Sequence, residues 1–115
     1  MPILNSLLSL VNSSRLSQIA EYASLSQDIQ HQQLFDLLKK AQSTEYGQLY
    51  DFKSIRSVSQ FKSHVPVVDY EGIRPYVERL REGEKNLLWP GEIKWFAKSS
   101  GTTSTKSKFI PISRE

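Results

Sequence analysis

Between Lys98 and Phe109 the chain reads Ser99-Ser100-Gly101-Thr102-Thr103-Ser104-Thr105-Lys106-Ser107-Lys108, a run of hydroxyls with one glycine and two lysines. These residue types suit a polyphosphate, which needs donors without bulk, a backbone that can bend inward, and a cation. Gly101 lacks the Cβ that would hold a ligand away and reaches positive φ at low cost. The hydroxyls of Ser99, Ser100, Thr102 and Thr103 each donate one hydrogen bond, and successive backbone N–H groups can form an anion nest. Lys106 and Lys108 add compact positive charge suited to a point contact. Hydrogen bonds to charged groups contribute roughly 1.5–3 kcal/mol each, so three or four would hold a triphosphate. A polar connector that binds nothing has the same composition, so the rest of the chain has to discriminate.

Other chemistries fail on spacing. A Walker A loop requires a second glycine directly before Lys-Ser/Thr, and a dinucleotide-binding turn requires three spaced glycines; neither is present. Ser59-Gln-Phe-Lys62 reads as Ser-x-x-Lys but lacks the Ser-Asp-Asn and Lys-Thr-Gly partners of penicillin-recognising enzymes, which leaves Ser59 and Lys62 on a solvated helix face. No Gly-x-Ser-x-Gly elbow occurs. His31 and His64 have no ligand spacing around them, so no metal site is expected. No general base can be assigned.

The elements that must carry the loop are legible on both sides. Ile93-Lys94-Trp95-Phe96-Ala97 before it and Phe109-Ile110-Pro111-Ile112 after it are aromatic and β-branched, which predicts strand, loop and strand over 92–113. Pro111 has no backbone donor, which places its strand at an edge or makes it locally irregular there. Trp89-Pro90-Gly91 reads as a turn into the first strand, and Trp89 and Trp95 are core candidates with adenine stacking as the alternative. Residues 1–88 read as mainly helical. Ser24-x-x-Gln27 resembles a capping box followed by Leu34, Leu37, Leu38 and Ala41 at helical spacing, with Thr44 and Gly47 closing that helix. Ser57-x-x-Gln60 repeats the device for a short helix that Pro66 closes. A further helix fits Asp69 to Glu82, with Gly83 just past its end and Tyr70, Ile73, Val77 and Leu80 as its buried stripe. Pro75 has to be accommodated inside it.

The loop and its upstream landmarks together resemble a known family. Lys98-Ser-Ser-Gly-Thr-Thr-Ser-x-Lys-Ser-Lys108-Phe-Ile-Pro-Ile-Ser113 is similar to the ATP-binding motif of the auxin-responsive acyl-acid amido synthetases, within the adenylate-forming, firefly-luciferase-like superfamily. Thr44-Glu45-Tyr46-Gly47, Tyr50-x-Phe52, Phe61 followed by Val65-Pro66-Val67, Tyr70-Glu71, Pro75-Tyr76-Val77 and Gly83-Glu84 match that family's N-terminal landmarks in order. The loop resembles the bacterial branch more than the plant enzymes, whose motif more often reads Ser-Ser-Gly-Thr-Ser-Ala-Gly. Against the wider superfamily pattern, Ser99 to Thr103 agree, then Ser104 replaces the second glycine and Lys106 the proline. Alignment to the amido synthetases favours Lys108 as the phosphate-contacting lysine, and alignment to the superfamily leaves Lys106.

The resemblance implies an α/β enzyme, α+β over this segment. It implies a cytoplasmic ligase that uses ATP and Mg²⁺ to adenylate a small carboxylic acid and then joins the acyl group to an amine or amino acid. Family members are several times longer than this chain of 115 residues. The resemblance therefore implies the N-terminal portion of one adenylation domain, inactive by itself, with the remainder of that domain and a C-terminal domain lying elsewhere. Two alternatives from other classes are a small helical interaction module and, last, a basic domain binding polyanions.

Composition sets the remaining bounds. A net charge of +3 comes from 15 basic and 12 acidic residues that interleave, with no stripe or reader motif for nucleic acid. No cysteine is present, which excludes disulfides and thiolate metal sites. The apolar stretch Ile3 to Val11 is interrupted by Asn5, Ser6 and Ser9 and lacks a basic leader, so it reads as a short amphipathic helix packed on the body of the protein, with neither a signal peptide nor a membrane span expected.

Overall fold

The computed structural model describes residues 2–100 and 106–115. The element order is α1 (Pro2–Ser24), α2 (Ser26–Ala41), α3 (Glu45–Leu49), a 3₁₀ turn (Phe52–Ser54), α4 (Val58–His64), α5 (Tyr70–Arg81), β1 (Trp95–Lys98) and β2 (Phe109–Ile112). The architecture is α+β, helices followed by one antiparallel hairpin. The chain divides into two units after Phe35.

The first unit contains α1 and the opening turns of α2. The expected short amphipathic helix is instead a helix of 23 residues, and Leu7, Leu8, Leu10, Val11, Leu16, Ile19 and Tyr22 stand exposed along it. These positions wind around the helix rather than forming one stripe. Nothing between Ile3 and Ser24 is a glycine or proline, so no residue type stops the helix. Two of its serines bond backward: the Ser13 hydroxyl donates to the Leu10 carbonyl at 2.9 Å and the Ser24 hydroxyl to that of Glu21 at 3.1 Å. The expected capping box at Ser24 is therefore absent. Leu25 N–H still reaches Glu21 and Ile29 N–H reaches Leu25, so only a bend separates α1 from α2. No helix among the described residues is long and apolar enough to cross a membrane.

The second unit is organised around Thr44. Its hydroxyl donates to the Ala41 carbonyl at 2.7 Å, which closes α2, and accepts from Gly47 N–H at 3.0 Å, which opens α3. The two other leading donors of α3 go to a distant loop, Glu45 N–H to Asn86 and Tyr46 N–H to Leu87. Thr44 and Gly47 thus begin a second helix rather than merely ending the first. That exchange seats Leu87 in the core with Leu80 and Ile93, covered by Tyr76, Leu88, Trp89 and Phe96. Leu38, Ala41, Ile55 and Val77 are also buried, whereas Leu37, expected on the same stripe, is 42% exposed.

The other end signals work as read. Ser57 caps α4 by accepting from Gln60 N–H, while the Gln60 side chain reaches back to Arg56 N–H, one residue beyond the usual capping-box partner. Asp69 caps α5 through Gly72 N–H at 3.1 Å, and Gly83 leaves it at φ 94° with its N–H on Leu80. Pro75 sits inside α5, on an exposed side where water can replace the missing donor. Asn86 and Gly91 close the next loop, Gly91 N–H meeting the Asn86 side chain at 2.7 Å.

One ion network locks α5 to its surroundings. The Arg79 guanidinium meets both Glu45 oxygens at 2.7 and 2.6 Å and also holds Glu84, joining two landmark positions through a planar fork. Hydrogen bonding to Arg79 holds both carboxyls below the usual carboxylate range. Depressed folded-state values mean that this stabilisation is present above the ordinary carboxylate pKa and disappears as pH falls through the lower, folded one. Thermal midpoints measured across acid pH are expected to fall more steeply in the wild type below about pH 4 than in Arg79→Met. Parallel curves would exclude the network as an acid-labile tie.

Candidate functional site: the hairpin mouth

The register pairs Trp95 with Ile112, Phe96 with Pro111, Ala97 with Ile110 and Lys98 with Phe109. One face of the hairpin, Trp95, Ala97, Ile110 and Ile112, is exposed, and the alternate positions Phe96, Phe109 and Pro111 are half-buried. Beyond Lys98 and Phe109 the ladder closes on one more pair. Ser99 N–H donates to the Lys108 carbonyl at 2.9 Å, and Lys108 N–H donates to the Ser99 hydroxyl oxygen at 3.1 Å. The side chain takes the place of the Ser99 carbonyl, which ends the ladder there and opens the loop. Alternation of inward and outward groups then sends the backbone nitrogen of Pro111 away from β1, so the hairpin loses no ladder bond to it.

The predicted site residues fall into two sets. Ser99 and Lys108 meet at the mouth, with Ser100 and Lys106 next to them along the chain; Gly101, Thr102 and Thr103 lie outside the described residues. Ser99 is already an acceptor in the closing pair, which still leaves its hydroxyl proton for a ligand. Ser100, Lys106 and Lys108 are exposed. The Lys108 ammonium stands 5.6 Å from the centre of the Tyr70 ring, while Lys98 lies 5.9 Å and the Arg81 guanidinium 3.8 Å from that of Phe109. Lys106 makes no such contact among the described residues, so of the two candidate lysines only Lys108 is tied to the body of the unit.

Electrostatics favour an anion. No Asp or Glu occurs between Glu92 and Glu115, a span that carries Lys94, Lys98, Lys106, Lys108 and Arg114. The same fact tests the Mg²⁺ that the family resemblance implies. Hydroxyls and ammonium groups without a carboxylate are a poor donor set for a hard divalent cation, so this hairpin does not itself hold the metal. Among the described residues no group of three or more His, Cys, Asp or Glu is placed to bind a metal.

Tyr70 and Arg81, both on α5, are the site neighbours that motif reading missed. Tyr70 carries a signal only as a landmark and an apolar-stripe position, and Arg81 only as a helix-end charge. Trp89 packs on the core as its simpler reading held. Trp95 is 68% exposed and stands at the far end of the hairpin from the loop, beside a hollow of about 240 Å³ lined by Glu92, Lys94, Ile112 and Arg114.

The second unit thus sets a lysine- and hydroxyl-bearing hairpin mouth on a group of helices. Its family follows from comparison: residues 15–115 match the GH3 family N-terminal domain, and the chain belongs to that family. It is 34% identical over 101 residues to a jasmonoyl–L-amino acid synthetase of Nicotiana attenuata, an alignment that covers 84% of this chain and 17% of that protein. It is 31% identical over 105 residues to an indole-3-acetic acid-amido synthetase of Arabidopsis thaliana, covering 90% of this chain and 17% of that one. The chain thus spans about a sixth of the length of the curated relatives it matches.

Proposed function

We propose that this chain supplies the phosphate clamp of an ATP-dependent acyl-acid amido synthetase. The observation that carries the reading is the closed Ser99–Lys108 pair, which sets hydroxyls and lysines around a mouth whose strands contain no carboxylate. Names of the relatives, both acid–amino acid synthetases, support the reaction class.

In the proposed reaction a carboxylate oxygen attacks the α-phosphorus of ATP, and the bond to the β-phosphate bridging oxygen breaks to release pyrophosphate. An amine nitrogen then attacks the acyl carbon; the bond to the phosphate oxygen breaks, AMP leaves with that electron pair, and the amine gives up a proton. The task of this segment is electrostatic positioning. Ser99, Ser100, Gly101, Thr102 and Thr103 cradle the β- and γ-phosphates, and Lys108, with Lys106 as its alternative, offsets charge as pyrophosphate leaves. Departure from the plant loop pattern after Thr102 supports placing the chain on a bacterial branch. A cysteine-free composition suits work in the cytoplasm.

Titration of the 115-residue chain with ATP, followed by amide resonances, tests the clamp. Shifts are expected at Ser99, Ser100 and Lys106 to Phe109, in the millimolar range, and adenosine should not reproduce them. Shifts absent from these residues, or confined to other lysines, would sink the reading.

A further inference from the structure

The loop's C-terminal stem is held by a residue 39 positions upstream. The Tyr70 hydroxyl accepts from Phe109 N–H at 2.9 Å and donates to the Phe109 carbonyl at 3.1 Å. Because Ser99 N–H meets the Lys108 carbonyl across the hairpin, the backbone groups of the next residue, Phe109, point away from β1. They face the outer edge of β2, where a third strand would otherwise be needed to pair them. One hydroxyl oxygen satisfies both, since it donates once and accepts through its lone pairs.

Tyr70 is itself firmly placed. It is the first residue of α5, directly after the Asp69 cap, and is half-buried. Its ring also has two cations against it, Arg74 and Lys108, each 5.6 Å from the centroid. Arg74 is drawn to Glu71 at 2.6 Å, whereas Lys108 lies in a hairpin without carboxylates. Hydroxyl and ring therefore act on adjacent residues: the hydroxyl fixes where the backbone of Phe109 runs, and the ring fixes where the Lys108 ammonium rests.

We infer that Tyr70 is a positioning residue for polyphosphate binding: it stands in for a neighbouring strand at Phe109 and thereby holds the Lys108 ammonium at the loop mouth. The inference deepens the proposed function and rests on the phosphate reading of that mouth. Tyr70 touches no phosphate itself; it acts through Lys108. It also favours Lys108 over Lys106, because only the former is carried by the anchored stem.

The test compares wild type, Tyr70→Phe, Lys108→Ala and the double variant of the 115-residue chain by amide hydrogen exchange and by titration with inorganic tripolyphosphate. Phenylalanine keeps the ring and removes both hydrogen bonds, so exchange at the Phe109 amide should quicken about tenfold while the Val77 and Leu80 amides keep their protection. Tripolyphosphate affinity should fall about threefold to tenfold in Tyr70→Phe. In the Lys108→Ala background the same change should cost less than about twofold, the non-additivity expected of a residue acting through its neighbour. Unchanged exchange at Phe109 would overturn the anchor. Faster exchange with unchanged affinity, or fully additive losses, would overturn the positioning role while leaving the phosphate reading intact. A wild type that binds no tripolyphosphate, with the Phe109 amide still deprotected by Tyr70→Phe, would remove the phosphate reading and the positioning role with it, leaving a structural tie alone.

Discussion

In a protein that carries this segment at the full length of its relatives, changing Ser100 and Lys108 together to alanine is expected to lower acid-dependent ATP–pyrophosphate exchange by about a hundredfold. Each replaced group removes a hydrogen bond to a charged oxygen, worth roughly 1.5–3 kcal/mol when made in a sheltered site. Both residues are exposed in this unit, so the lower end of that range applies to each, and two such losses multiply to the stated effect. The loss should appear in exchange at saturating acid, because the groups are proposed to act on the departing pyrophosphate rather than on the acid. Ser59→Ala is the control, since it lies on an exposed face of α4 and its change should leave exchange unaltered. Exchange within twofold of wild type in the double variant would remove the hairpin mouth from the reaction.

Gly47→Ala is expected to reduce the stability of the second unit by about 3 kcal/mol, near the upper end of overpacking effects. A Cβ at this position would lie 2.1 Å from the Ala41 carbonyl oxygen, 3.0 Å from its carbon and 3.1 Å from the Gln42 carbonyl carbon. All three are backbone atoms, which cannot rotate aside. Nor can α3 move away cheaply, because Thr44 ties it to Ala41 and the Asn86 and Leu87 carbonyls hold its first donors. Gly72→Ala is the matched comparison. Its added Cβ would meet the Val68 Cβ at 3.0 Å and Cγ1 at 3.4 Å, contacts that a shift of the exposed segment ahead of α5 by a few tenths of an ångström relieves, Val68 being 44% exposed. Its effect should stay within about 1 kcal/mol, since the gain in helix propensity offsets the crowding. Urea unfolding of the two variants decides the matter; equal midpoints would show that the close approach at Gly47 relaxes without cost.

The landmark positions gain a physical meaning from these contacts. Thr44, Glu45, Tyr46 and Gly47 form the junction that turns α2 into α3 and receives the loop before the hairpin. Tyr46 lies within 4.7 to 6.2 Å, centre to centre, of the rings of Tyr50, Phe52 and Tyr76. Glu84 and Glu45 meet on Arg79. Tyr70 meets Phe109. Residues that looked like scattered identities in the sequence are thus the ties that set the hairpin on its helices, and the ligand-facing groups sit at the end of that chain of support.

Local chemistry made much of this protein legible from its residues alone. Ser57 and Asp69 cap helices because their acceptors reach a backbone N–H three residues on, and Gly83 ends α5 because it tolerates the left-handed turn; each needs only neighbours in sequence. The hairpin's strands followed from β-branched and aromatic runs on either side of the loop, whereas the pairing of Ser99 with Lys108 that closes it did not. What sequence could not decide was every choice in which a polar group had more than one partner within reach. Ser24 had the spacing of a cap, but an uninterrupted helix already supplied its bond to Glu21. Gly47 looked like a terminator until the fold brought the Ala41 carbonyl against it. Tyr70 looked like one more residue of an apolar stripe, because the backbone it pairs lies 39 residues away. Short-range partners are written in spacing; long-range ones exist only after packing has closed the chain, and at this site packing decides which lysine is anchored.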